Sequence, residues 1–414
     1  MAYYRSKRGA FFIGEESSFG AGSVAQVYLK AKEVSMPSGM EYQAGDDIVQ
    51  KDAEDAGSVL YQPGDVVVKC GLHPFTTAWP TAKPSLGSKP PISHTLKAVL
   101  GGVLAGGYGV STSGHTTTVI QFDPYGDTPS TLGFKVGEPV YVRNSGALNI
   151  LGANVVKTVD DVGNTITLRS PLPAVPGTAA IVYGGYCWPK LPTGTAQSYQ
   201  ATYKGEAATH VQQAYGCCAA AASIAAPYRG LAELSITFRS AQPLPMILAE
   251  SGGAPSPQTY SYPEASQVLN GGLYLYNGVS STKLAGGIDV DFGVELQEVP
   301  GVNGVDPNGI AGYLLTARKI RLKLNPAYTD NAIIDTFQNP PASAVLTGWW
   351  GRGAAVWTFQ IPAAMLVTPP ELNDESNVLH NRLEFGCGEW TGDTGAFSDA
   401  EAGDKPFVLG CLAG

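Results

Sequence analysis

Glu233-Leu-Ser-Ile-Thr-Phe-Arg239 sets Leu234, Ile236 and Phe238 on one side of an extended chain and Glu233, Ser235, Thr237 and Arg239 on the other. Successive side chains of a strand point to opposite faces, so a period of two predicts a half-buried strand. The same period recurs along the chain. Val27, Leu29 and Ala31 alternate with Tyr28, Lys30 and Lys32, and Ile320, Leu322 and Leu324 with Lys319, Arg321 and Lys323. Ile288, Val290, Phe292, Val294 and Leu296 alternate with Asp289, Asp291, Glu295 and Gln297, and Leu379, Leu383 and Phe385 with His380, Arg382 and Glu384. A mainly β fold follows.

Composition agrees. The 414 residues include 51 Gly and 30 Pro, about a fifth of the chain, which excludes a mainly helical protein. Apolar residues make up 44%, enough to repay the entropy of folding, so whole-chain disorder is excluded too. Charged residues reach only 15%, which predicts that much of the outer surface is covered by other subunits. The net charge of −9 disfavours a sequence-independent grip on nucleic-acid phosphates. No apolar run approaches the length of a membrane span, and Met1 to Gly14 lacks the apolar core of a secretory signal. The six cysteines, at 70, 187, 217, 218, 387 and 411, show no C-x-x-C spacing and read as reduced, buried thiols.

Helical signals are short. Ser93 is placed to cap a helix over Thr95 to Leu100, stopped by Gly101-Gly102, and Thr329 or Asp330 to cap one over Asn331 to Phe337. The order of strands around a short helix therefore occurs twice, which suggests an internal duplication. One copy would occupy residues 1–110 and 187–245, the other 246–414 with a C-terminal arm. Between them, glycine pairs at 106–107 and 184–185 frame residues 115–185, where Phe134 to Val142 and Val155 to Leu168 read as strands with a turn at Asp161-Val-Gly-Asn164. That segment reads as an inserted small β-barrel projecting from the main body.

No enzyme constellation emerges. The five histidines form no H-E-x-x-H, no G-x-S-x-G is present, and Gly101 to Gly109 lacks a phosphate-loop pattern and reads as a flexible hinge. Cys217-Cys218 reads as structural. Asp289, Asp291 and Glu295 share one predicted strand face, where they either oppose the basic stripe Lys319, Arg321 and Lys323 or line an interior surface to which DNA must not stick. Trp349-Trp350 and Trp357 could form a sugar platform, although neighbours on a strand point to opposite faces. No cofactor or metal site is read from the chain.

Two stretches carry a family resemblance. Ile13-Gly-Glu-Glu-Ser-Ser-Phe-Gly-Ala-Gly22, ahead of the first strand, resembles the opening turn of tail tube (major tail) proteins of long-tailed bacteriophages. Gln197 to Glu206, then Gln213-Ala-Tyr-Gly-Cys217, then Gly230 to Phe238, is similar to the region where a glycine- and cysteine-bearing turn precedes the last strand of their tube domain. The resemblance covers most of the chain in order and texture. It implies a tail-tube-like β-sandwich or barrel, here as two tandem halves, whose sheets join into rings. The rings, hexameric or trimeric with pseudo-sixfold symmetry, would stack into a hollow tube that passes viral DNA without binding it specifically. It further implies an acidic lumen, contacts with other tail proteins, a place in the virion after assembly in the host cytoplasm, and no membrane partner. The insert would decorate the outside, and Tyr3, Tyr4, Arg5, Lys7 and Arg8 would form an arm between rings, as would the tail from Thr391 to Gly414. The alternatives are another phage component, of capsid or baseplate, and a β-rich carbohydrate-binding or carbohydrate-active protein.

Overall fold

A computed structural model describes residues 10–22, 25–37, 40–43, 58–72, 81–86, 89–144, 150–191, 193–205, 211–227, 230–243, 273–276, 279–281, 284–301, 307–326, 345–352, 355–369, 371–375, 378–388 and 406–411. The expected helix over Asn331 to Phe337 and the expected arm residues Tyr3, Tyr4, Arg5, Lys7 and Arg8 lie outside them.

The fold is mainly β and is organised by one sixteen-residue strand, Val211–Ala226. Two bulges bend it. Its partner register jumps where Tyr199 faces Cys217 but Ala201 faces Ala214, with Gly216 at φ +61, and jumps again beyond Ala219. An extra residue on one strand increases local twist, so the two ends of this strand serve different neighbours. The first end pairs with Tyr199–Lys204, which leads on to Ala10–Glu15 and Val27–Leu29. The second end lies between Glu233–Ser240 and Leu284–Asp291. From there the sheet runs one way through Gly64–Gly71 to Ala31–Ser35. The other way it runs through Arg321–Pro326 and Val378–Cys387 to an interrupted edge of Ala364–Leu366 and Glu371–Glu375. The expected strand from Val27 to Ala31 is thus two strands, broken at Lys30.

A second sheet joins Val279–Ser281, Leu273–Tyr276, Leu346–Arg352, Ala355–Ile361, Val408–Cys411, Tyr186–Pro189 and Leu104–Ala105. Its inner side chains Trp188, Trp350, Trp357, Phe359 and Leu409 meet Val66, Val68, Leu234, Ile236, Phe238, Ile288, Val290, Leu322 and Phe385 of the main sheet in one core. In each sheet the strands of residues 1–245 lie side by side and so do those of 246–414. The two blocks meet where Val211–Ala226 pairs with Leu284–Asp291 and where Tyr186–Pro189 pairs with Val408–Cys411, and side chains of both expected halves share this core. Val408–Cys411 forms a buried central strand, so this part of the expected C-terminal arm is built into the body. The reason is the apolar run Phe407 to Cys411, which two flanking strands enclose.

The helix spans Ile92–Leu100, earlier than expected, and sends Ile92, Leu96, Val99 and Leu100 into the core. Ser93 lies inside it and makes no cap, because the helix begins from Pro91. Glu15 ties the helix to the Ala10–Glu15 strand: Lys97 Nζ donates to Oε2 at 2.6 Å, His94 Nδ1 lies 3.2 Å from Oε1, and Lys89 lies at 3.7 Å. The His94 ring, and then Lys97 and Lys89, hold the carboxyl down to about 2 against the opposing effect of burial. A lowered carboxyl stabilises the fold above its ordinary value of 4.5, and that contribution is lost as pH falls toward 2. It amounts to at most about 3 kcal/mol. Glu15→Gln is therefore expected to lower the urea midpoint at neutral pH and to flatten the loss of stability between about pH 4.5 and 2. An acid limb identical to wild type would contradict the assignment.

The insert is a barrel of Tyr108–Val110, Ile181–Tyr183, Pro139–Arg143, Ile150–Asp160, Thr165–Leu168 and Val119–Gln121, closed by a bridge between Ser111 and Phe122. It has its own core, with Phe122 and Phe134 stacked at 5.2 Å. It starts at Tyr108, before the expected residue 115, and its strand begins at Pro139, after the expected Phe134. It also lies against the body. Tyr141, Ala153 and Tyr183 pack on Val356 and Trp349, on the outer face of the second sheet.

Candidate functional site

Among the described residues the main sheet keeps a polar face toward solvent. Ala221, Ser223 and Ala225 form an exposed floor on the long strand, flanked by Ser235 and Thr237 on one side and Asp289 and Asp291 on the other. Arg321, Lys323 and Arg382 complete an open groove of about 540 Å³. Register sets the charges: Asp289 stands opposite Lys323 and Asp291 opposite Arg321, while Lys323 also faces Glu384. Partial burial raises the Asp289 carboxyl, against the pull of Lys323 and Arg382. Asp291 Oδ1 accepts from the Gly293 amide at 3.0 Å.

Beyond Thr237 the pattern continues. Arg239 Nε donates to Asp65 Oδ1 at 2.5 Å, Lys69 Nζ donates to Glu33 at 2.8 Å, and Lys32 pairs with Glu233. Exposed ion pairs contribute little stability, roughly 0–1 kcal/mol each. Their effect is to cancel charge locally over a wide polar surface. The face is therefore of mixed charge, with Asp289 and Asp291 opposing Lys323 and Arg321 of the expected basic stripe, and it offers a polyanion no uniform cationic grip.

Glu295 is the residue that leaves this face. The alternation from Ile288 to Leu296 is not one strand: the chain turns at Gly293, whose φ of +50 suits glycine and where a Cβ would run into the Lys319 carbonyl. Val294–Pro300 then pairs with Ile310–Arg318 in a separate three-stranded sheet, where Lys319 Nζ bonds Glu295 at 2.8 Å. Lys319 is lost from the basic stripe for the same reason. Arg382, Glu384, Ser223, Ser235 and Thr237 join the face instead, each on the polar side of its strand.

The two stretches that carry the family resemblance meet in space. Glu16 is buried, its Oε2 accepting from the Gly20 amide at 3.0 Å and its Oε1 from the Gly216 amide at 3.1 Å. Phe19 packs edge-on against Tyr313 with ring centroids 5.8 Å apart. The expected turn at Gly216-Cys217 is a bulge within the long strand. The glycine stretch expected as a hinge is closely packed, since a Cβ on Gly106 would lie 2.9 Å from the Gly184 Cα.

The sugar platform is not assembled. Trp350 and Trp357 are in the core and Trp349 lies under the insert, on opposite faces as strand geometry requires. Burial pushes the Cys70, Cys217 and Cys387 thiols up to about 12, which makes them poor nucleophiles. Among the described residues no group of three His, Cys, Asp or Glu side chains is placed to hold a metal ion, and no helix is long and apolar enough to cross a membrane. No protein-family model matches the chain, and no curated protein matches it significantly.

Proposed function

We propose that the protein is a structural subunit of a phage tail tube, which adds copies edge to edge into rings and stacks them into a hollow conduit for DNA. One observation carries the reading. Counted across its curved part, the main sheet has eight strand positions, from Ala31–Ser35 to the Ala364–Leu366 and Glu371–Glu375 edge, all paired antiparallel. With an even number, the two outermost strands run in opposite directions. The last strand of one copy can then pair antiparallel with the first strand of the next, and the sheet continues without a break in pattern. Among the described residues neither edge has an outer partner, and open edges are what a monomer normally blunts.

In a tube, the mixed-charge face suits a surface past which DNA slides. Other tail proteins would cap the ends, and the insert, seated on the second sheet, would lie outside. Negative-stain electron microscopy with mass-resolved chromatography tests the reading. Rings or hollow tubes with threefold or sixfold averages are expected. Closed shells would favour a capsid role, and small discrete particles at every concentration and salt would overturn assembly altogether.

A further inference from the structure

The insert joins the body through two chain passes, Gly106-Gly107 and Gly184-Gly185. They bond to each other, Gly106 N to Gly185 O at 2.8 Å and Gly184 N to Gly107 O at 2.7 Å. Glu138 sits beside this neck, immediately before the Pro139–Arg143 strand, and is 1% exposed. Its Oε1 accepts from the Gly107 amide at 3.1 Å, whereas Oε2 is buried with no hydrogen-bond partner. The groups facing it are Lys135 on its own segment, Lys83, whose side chain crosses Gly133, and the buried Cys187 thiol of Tyr186–Pro189. Neither lysine's ammonium bonds the carboxyl, and both ammonium groups act on it only through their charge. A neutral acid tolerates such a place, but a carboxylate with an unbonded oxygen does not.

We propose that Glu138 is a proton-operated latch: when neutral it lets the glycine neck close and seats the insert on the second sheet, and when ionised it draws water into the neck and releases that seat. Burial raises the carboxyl to about 8, against the Gly107 and Lys135 amides and the two lysine charges. In the open neck it returns to its ordinary 4.5. Closure is therefore favoured fully below 4.5 and is lost as pH rises toward 8, the opening constant growing about tenfold per pH unit in that window.

Hydrogen exchange at the Gly106, Gly107 and Gly184 amides, normalised to intrinsic rates, reads this directly. In the full chain, protection is expected to fall about a hundredfold between about pH 5.5 and 7.5, with exposure of Trp349 shifting its fluorescence, and to be flat in Glu138→Gln. Flat protection in wild type, or the same slope in the variant, overturns the latch. Should the variant fail to fold, infrared difference spectra of wild type labelled with carboxyl-¹³C glutamate decide. One glutamic acid still protonated at about pH 6 and lost by about pH 9 is expected, and none protonated at pH 6 overturns it.

Discussion

Trp357→Ala is expected to lower stability by about 3–5 kcal/mol, read as a fall in the urea midpoint at unchanged slope. Trp357 is fully buried and lies between two other indoles, 5.7 Å from Trp188 at an interplanar angle of 18° and 6.4 Å from Trp350 at 13°. In register it stands opposite Trp350 on one side and Cys411 on the other. The stack therefore joins a strand that precedes residue 190 to two that follow residue 345, and its loss leaves a cavity where both parts of the chain meet. Each stacked pair adds about 0.5–1.5 kcal/mol beyond its buried area. Trp357→Phe should retain about half of the stability lost in the alanine variant, because a smaller ring still fills part of the site. A change below about 1 kcal/mol for the alanine variant would mean that the two sheets do not share a core.

The main sheet was legible because its strands are wet on one face. Leu234, Ile236 and Phe238 point inward as their period of two requires, and so do Ile288, Val290, Leu322, Leu324, Leu383 and Phe385. Strands buried on both faces carry no such signal. Ala355–Ile361 and Val408–Cys411 have apolar or buried neighbours on either side, so alternation passes over them and the C-terminal strand reads as a loose tail. Period two also does not say which sheet a residue joins. Val294 and Leu296 keep the phase of Ile288 and Val290 across Gly293, yet the chain has turned into another sheet, carrying Glu295 away. The insert was legible from its framing glycines and its own strand texture. Glu138 was not, because a single carboxylate between Gly137 and Pro139 looks like any turn residue until the neck closes over it.

Proline at Val34 and at Ser35, in separate variants, is expected to separate folding from assembly. The Ala31–Ser35 strand pairs only with Gly64–Gly71 among the described residues, with Val34 opposite Val68 and Ser35 opposite Val67. Neighbouring residues of an antiparallel strand turn their N–H groups to opposite sides. One of the two prolines therefore removes a ladder bond within the copy, and the other removes a donor that only a second copy could use. The first variant should unfold at lower urea but assemble while folded. The second should keep its unfolding midpoint and lose rings and tubes. The edge at Glu371–Glu375 stays intact in it, so it should still add to one end of a wild-type copy and stop there. A ring needs every seam, so a minority of this variant mixed with wild type should suppress closed rings out of proportion to its share. Normal assembly by both variants would exclude this edge as the seam while leaving the shared core untouched.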